Sequence, residues 1–289
     1  MGNGVLYVCA TPIGNLEDVS LRLLRILREV DLVAAEDTRT TRKLLSRYEI
    51  KTPLVAYHAN SGLEAAGRLL ERLAAGERIA LVSEAGTPGI SDPGLPLVEA
   101  AVAAGVRVEA VPGPSAVVAA LSVAGLPAAR FAFEGFLPPR GSERRRRLKE
   151  LVGERRTIVL YEAPHRLLRT LEDLREVLGD RPAAVARELT KQFEEVYRGT
   201  LSGALNHFAA GERRGEFTLM VGGAPEGMGA AGLRTDGAAE EALALSRKEG
   251  LPLGEAAQRV AAARGLSRNA VYRLALRQKE KAGSQPPRP

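Results

Sequence analysis

RIALVSEAGTPGISDPG, residues Arg78 to Gly94, decides how the chain is read. Ile79 to Val82 is a short apolar run rich in branched side chains, the pattern of a buried strand. It empties into a loop carrying Gly86, Pro88, Gly89, Pro93 and Gly94, and an apolar helical pattern resumes at Leu95. A strand that ends in a Gly/Pro-dense loop and re-enters a helix is where an open α/β sheet places a ligand. One such loop is equally well a long turn, but the chain builds two more. Val5 to Ala10 runs into Thr11-Pro12-Ile13-Gly14-Asn15-Leu16, and Val106 to Val111 runs into Pro112-Gly113-Pro114-Ser115.

Around these loops strand and helix patterns alternate. Helices are expected over Leu21 to Val30 (capped by Asp18 or Ser20), from Thr38 or Thr40 to Tyr48, over Leu63 to Leu73 and over Leu95 to Ala104. Strands are expected at Asp31 to Ala35 and Leu54 to Tyr57. This β-α-β order predicts a mostly parallel sheet with helices on both faces, over residues 1–113. A second α/β unit is expected over 114–223: a small-residue helix from Ala116, strands at Phe131 to Phe136 and Thr157 to Tyr161, and later strands close enough to pair antiparallel. Residues 224–238, rich in Gly and Ala without apolar periodicity, read as a linker. Residues 239–280 hold three helical stretches with the small residues, turn glycine and Ser267 of a helix-turn-helix. The tail 281–289 is expected to be disordered.

Composition narrows the function. At 289 residues the chain holds sizeable cores, and no apolar run is long enough to span a bilayer. A signal peptide is not expected, because the start lacks a basic region. Cys9 is the only cysteine, and His58, His165 and His207 are far apart, so no disulfide framework or metal site is expected. A cytoplasmic protein follows. The net charge is +6; residues 239–289 carry ten Lys or Arg against five Glu, whereas residues 1–238 carry 31 basic against 30 acidic. Positive charge gathered in one segment fits contact with a polyanion, though it also serves a solvated surface.

The loops lack phosphate signatures. Gly2 and Gly4 precede the first strand rather than follow it, and no GxxxxGK[ST] occurs. Such loops suit a weakly charged, nucleoside-like ligand approached closely by backbone.

TPIGNLEDVS near the start, AAEDTRTTRKLL at 34–45, SEAGTPGISDPG at 83–94, VPGPSA at 111–116 and YEAPHR at 161–166 occur in this order. Together they resemble the ribosomal small-subunit RNA 2′-O-ribose methyltransferase family, over residues 5–223 and with a similar C-terminal module. The resemblance implies a two-domain tetrapyrrole-methylase-like α/β body, a homodimer, S-adenosylmethionine as methyl donor and a cytidine ribose in the decoding region of 16S rRNA, free or in the small subunit, as target. It implies cofactor contacts at Pro12, Ile13 and Gly14; at Glu84, Ala85, Gly86, Thr87, Ile90, Ser91 and Asp92; at Pro112, Ser115 and Ala116; and at Phe136, Leu137, Tyr161 and Glu162. Related tetrapyrrole methylases have GGDP where this chain has SEAGTPGISDP.

A ribose hydroxyl needs help to lose its proton. Glu36, Asp37, Glu84, Glu162, Glu188 and Lys191 are candidate bases. Glu36 and Asp37 beside Arg39, Arg42 and Lys43 stand out, because charge this dense at a strand end is poor core material; Lys191 completes the expected catalytic set. Arg39, Arg42, Lys43 and the run Arg144, Arg145, Arg146, Arg147 are expected RNA contacts. Two alternatives share this pattern: a porphyrin-precursor methyltransferase, which would not need the basic cluster, and a ligand-sensing DNA-binding regulator, whose effector would be the C-terminal module.

Overall fold

The structure, a computed structural model of the chain, describes residues 4–58, 61–225, 230–264 and 266–283. The first α/β unit is a five-stranded, wholly parallel sheet. Its strands are β1 (Val5–Cys9), β2 (Leu32–Ala35), β3 (Leu54–Ala56), β4 (Arg78–Val82) and β5 (Arg107–Val111), in the order β3-β2-β4-β1-β5. Side chains alternate between faces with period two. Val33 and Ala35 of β2 and Ala80 and Val82 of β4 pack on Leu23, Leu27, Leu44 and Leu45, which come from α1 (Leu21–Glu29) and α2 (Thr38–Arg47). Leu32, Ala34, Ile79 and Leu81 face the other way, onto Leu69 and Leu73 of α3 (Gly62–Ala74) and Leu97 and Ala101 of α4 (Leu95–Ala103). Both faces are covered, which is why these strands read as continuous apolar runs.

Local chemistry sets the helix starts. Ser20 caps α1, its Oγ accepting the Leu23 N–H at 3.0 Å. For α2 the cap is Asp37, not the expected Thr38 or Thr40: its carboxylate accepts the backbone N–H groups of Arg39 and Thr40. A carboxylate satisfies two orphan amides and opposes the positive end of the helix, which a hydroxyl does less well.

The second unit begins with α5 (Ala116–Ala124), followed by β6 (Phe131–Phe136), α6 (Gly141–Glu150), β7 (Thr157–Glu162), α7 (Leu167–Leu178), β8 (Pro182–Arg187), β9 (Glu195–Thr200), α8 (Leu201–Ala210) and β10 (Phe217–Val221). Its sheet runs β6-β7-β10-β8-β9, with β6 and β7 parallel and the other pairs antiparallel. Val117, Ala120, Leu121 and Ala124 of α5 pack on Val159, Ala184, Ala186 and Met220 of this sheet, so the break between the units falls between β5 and α5. The opposite face buries Leu148, Leu171, Leu174 and Phe208 from α6, α7 and α8.

Beyond β10 most of the expected linker is helical, and residues 226–229 of it lie outside the described residues. Residues 230–238 belong to a helix, α9 (Ala230–Glu249), which precedes α10 (Leu253–Arg264) and α11 (Arg268–Gly283). The inward face of α9 carries Ala238 and Ala242, and alanine offers too little contrast to show a periodic stripe. The three helices share a small core of Ala238, Ala242, Ala256, Ala257, Val260, Ala261 and Val271. Residues 281–283 of the expected disordered tail belong to α11; residues 284–289 lie outside the described residues. Among the described residues, no helix is long and apolar enough to cross a membrane.

Candidate functional site

The three Pro/Gly loops converge at the carboxyl ends of β1, β4 and β5, against the second domain. Thr11 and Gly86 form a two-way backbone bridge, Thr11 N–H to Gly86 O at 2.8 Å and Gly86 N–H to Thr11 O at 3.1 Å. Gly86 holds φ +78°, and a Cβ there would sit 3.6 Å from Ile13 Cγ2. The backbone turns at a left-handed residue so that the first and second loops lie side by side. Gly113 lets the third loop approach, since its Cβ would lie 3.1 Å from the Ala10 carbonyl oxygen.

Between these loops and the second sheet lies a cleft of about 330 Å³. The first domain lines it with Ile13, Glu36, Glu84 to Thr87 and Ile90 to Asp92; Ser115 and Ala116 come from the start of α5. The second domain adds Phe136, Tyr161 to Pro164, Ala186, Leu189 and Gly215 to Thr218. Phe136 leans on Tyr161 with ring centroids 5.6 Å apart, beyond an irregularity in β6 where Gly135 has φ +61°. The wall is mainly apolar, its charged lining is Glu36, Glu84, Asp92, Glu162 and Glu216, and among the described residues no Lys or Arg lines it.

These carboxylates are unequal. Glu162 is closed to solvent and fully engaged: Oε1 accepts the Ala163 N–H at 2.9 Å and pairs with Arg166 Nε at 3.1 Å, while Oε2 accepts the Thr170 hydroxyl at 2.5 Å. Glu36 Oε2 accepts the Glu84 N–H at 3.2 Å, tying the end of β2 to the second loop. Burial, with the neighbouring Glu36, Glu84 and Glu216 carboxylates, pushes Asp92 up to about 6 despite a hydrogen bond from Ser83. Burial and then the Asp92 charge push the Tyr161 phenol up to about 12.

Most of the expected cofactor residues come together here: Ile13, Glu84, Ala85, Gly86, Thr87, Ile90, Ser91, Asp92, Ser115, Ala116, Phe136, Tyr161 and Glu162 all line the cleft. Pro12, Gly14, Pro112 and Leu137 lie beside it in the chain without lining it. Leu137 is buried in the second core, where its carbonyl accepts from Arg166 at 2.5 Å.

The expected catalytic set separates. Glu36 lines the cleft. Asp37 is the α2 cap, and the Arg39 side chain, then the Arg39 amide, hold its carboxyl below the usual range. Asp37 does not line the cleft. Lys191 does not line the cleft; burial pulls its ammonium down, but hydrogen bonds to Glu188 and Glu216 more than offset this and raise it. An ammonium held charged is no base at neutral pH.

The expected RNA contacts also divide. Arg39, Arg42, Lys43, Arg145 and Arg146 are exposed. Arg144 is buried, donating to Asp173 at 2.8 Å, to the Pro138 carbonyl at 3.1 Å and to Thr170 at 2.9 Å. It holds α6 on α7 and is no RNA contact. Arg147 pairs with Glu134 and Glu150.

Ala186, Leu189 and Gly215 to Thr218 carried no sequence signal as site residues, and Ala163 and Pro164 were not singled out within their motif. They sit where strands of the second sheet end at the cleft, and their types are ordinary for strand ends. Only YEAPHR, which contains Ala163 and Pro164, pointed to this wall.

Residues 5–204 match the family model described as Tetrapyrrole (Corrin/Porphyrin) Methylases, and residues 234–279 match the RsmI C-terminal HTH domain. A Pseudomonas aeruginosa protein named ribosomal RNA small subunit methyltransferase I is 48% identical over 291 residues, covering 98% of this chain and 100% of the relative. The chain belongs to the ribosomal RNA small subunit methyltransferase I family. A family member from Thermotoga maritima is 49% identical over 220 residues, 76% of this chain and 99% of that protein. Outside the methyltransferase I family, a uroporphyrin-III C-methyl transferase from Thermus thermophilus, solved in complex with S-adenyl homocysteine, superposes with TM-score 0.54 at 22% identity, covering 75% of this chain and 96% of that one. That likeness establishes the tetrapyrrole-methylase fold.

Proposed function

We propose that the protein transfers a methyl group from S-adenosylmethionine to the 2′-hydroxyl of a cytidine ribose in the decoding region of 16S rRNA, in the cytoplasm. The observation that carries this is identity of nearly half the residues, over the full length, with a protein named for methylation of small-subunit ribosomal RNA. The porphyrin-precursor and DNA-regulator alternatives lack comparable support.

The cleft suits the methyl donor. Its glycine-built loops bring backbone donors and acceptors close to a flat nucleoside edge, and Ile13, Ala85, Ile90 and Phe136 supply apolar walls. The surrounding carboxylates, with no Lys or Arg among the described lining residues, favour a ligand with a positive centre. When bound, S-adenosylmethionine supplies an electrophilic methyl on a sulfonium, so the protein has mainly to position the hydroxyl, exclude water and take a proton. Of the favoured catalytic set Glu36, Asp37 and Lys191, Glu36 alone lines the cleft, and it is the group that accepts the hydroxyl proton. Arg145 and Arg146 on α6, with Arg39, Arg42 and Lys43 on α2, meet phosphates outside the cleft.

A homodimer accords with the exposed apolar side chains Leu95 and Val102, seven residues apart on α4, together with Val118 on α5. Sedimentation of the purified protein as a monomer at micromolar concentration would remove that part.

The deciding experiment maps 2′-O-methylation by mass spectrometry after incubating the protein and S-adenosylmethionine with unmethylated 16S rRNA or small subunits. A single new methyl on a cytidine ribose is expected; methyl transfer to a porphyrin precursor and not to RNA would overturn the proposal.

A further inference from the structure

Lys191 lies in the segment between β8 and β9, which touches the first domain beside the cleft. Its stem fills the place where a Gly14 side chain would sit: a Cβ on Gly14 would lie 2.5 Å from Lys191 Cγ and 3.0 Å from Cε. The Asn15 N–H donates to the Thr190 hydroxyl at 3.2 Å. Thus the second domain grips the first loop, and that loop is bridged in turn to the second loop through Thr11 and Gly86.

The grip is held in shape from behind. Lys191 Nζ donates to Glu188 Oε1 and Glu216 Oε2, each at 2.9 Å. Glu188 Oε1 also accepts the Glu216 N–H at 3.0 Å, and the Glu188 N–H returns a bond to the Glu216 carbonyl at 3.0 Å. Glu188 and Thr190 both hold positive φ, 51° and 66°, a conformation non-glycine residues keep only when their surroundings enforce it. Gly215, at φ +92°, leaves room for the Glu188 carboxylate, which a Cβ would strike. Leu189, Gly215 and Glu216 line the cleft, so this assembly is both clasp and wall.

We infer that Lys191 is a positioning residue, the pin of an interdomain clasp formed with Gly14, Thr190, Glu188 and Glu216 that sets the width of the cofactor cleft. This rests on the proposed use of the cleft for S-adenosylmethionine. The charge on Lys191 fixes Glu188 and Glu216, and its stem fixes the first loop, so each can be removed separately. Lys191→Met keeps most of the stem and loses the charge. Gly14→Ala keeps the charge and displaces the stem. Gly14→Ala with Lys191→Ala relieves the clash that Gly14→Ala creates.

The test measures S-adenosylmethionine binding by calorimetry, with kcat and KM on RNA and thermal melting as a folding check. Each single variant is expected to weaken cofactor binding about tenfold and raise the cofactor KM, with kcat within about threefold of wild type. The double variant should lose less than the sum of Gly14→Ala and Lys191→Ala measured alone. Lys191→Met that loses kcat while keeping cofactor affinity would overturn the proposal in favour of a chemical role. Additive losses, or unchanged affinity in folded variants, would overturn it as well. Wild type failing to bind S-adenosylmethionine would refute the functional reading instead. Hydrogen exchange then tests the clasp itself: the Asn15 amide should lose protection in both single variants, and unchanged protection would overturn it.

Discussion

Arg144 Nε lies 2.8 Å from Asp173 Oδ2, and this pair turns the first of four consecutive arginines into the protein while its neighbours face water. The same run therefore makes two opposite predictions. Arg144→Met strands a half-buried Asp173 and should cost about 3–5 kcal/mol of stability, read by urea unfolding. Replacing Arg145 and Arg146 by Gln should leave melting unchanged, weaken RNA binding and reduce its salt slope by roughly one to two counterions. Equal stability losses in both would contradict the division.

Asp92 supplies a pH dependence. Burial and the Glu36, Glu84 and Glu216 carboxylates raise its carboxyl to about 6, so it gains charge as pH rises through that value. A cationic cofactor prefers the charged form, and its affinity should fall as pH drops from 7 to 5. Asp92→Asn should bind more weakly at pH 7.5 and flatten that profile. The effect on folding has the opposite sign: protonated Asp92 favours the fold, a contribution present below about pH 4 and lost as pH rises through about 6. Hence Asp92→Asn should melt higher than wild type at pH 8; a lower melting point would refute the assignment.

At φ +78°, Gly86 is where the first and second loops cross. Gly86→Val places a β-branched residue in the left-handed region, at a cost of about 1–3 kcal/mol, and should tilt Ile13 and the bridge to Thr11 out of place. Calorimetry should show S-adenosylmethionine binding abolished in a protein that still melts cooperatively. Retained affinity would mean that the loop does not touch the cofactor.

Glu36→Gln should lower kcat by about 10²- to 10⁴-fold, far more than it weakens cofactor binding, the signature of a lost proton acceptor. A change confined to KM would assign Glu36 to tethering Glu84 instead.

The Thermotoga maritima relative aligns over 99% of its own length with only 220 residues of this chain. The module's core is drawn from its own three helices. Removing residues 226–289 should accordingly leave S-adenosylmethionine binding unchanged and lower RNA affinity. Loss of cofactor binding by the truncated protein, measured by calorimetry, would contradict this.

Strand and helix positions were legible wherever apolar and polar residues contrast, as in α1 and β4, and the three loops were legible from Gly and Pro alone. What escaped notice lacked such contrast. Nothing in Arg144 to Arg147 tells which guanidinium finds a carboxylate on another helix. Asp37 and Thr38 are both good caps, and only the backbone path chooses between them. The second-domain wall at Leu189 and Gly215 to Thr218 exists because antiparallel strands bring distant residues together, a pairing no local pattern encodes.

The place of β1 in its sheet bears on how the protein is made. Val5 to Cys9 is flanked by β4 and β5, both of which follow it in the chain and whose last residues are Val82 and Val111. Its two hydrogen-bonding edges wait for strands that end roughly 70 and 100 residues later in the chain, several seconds or more of synthesis. Through that interval the nascent chain holds an unpaired apolar strand, whose open edges invite pairing with other chains. The nascent chain is thus most exposed to wrong pairing until β5 emerges and closes the second edge of β1.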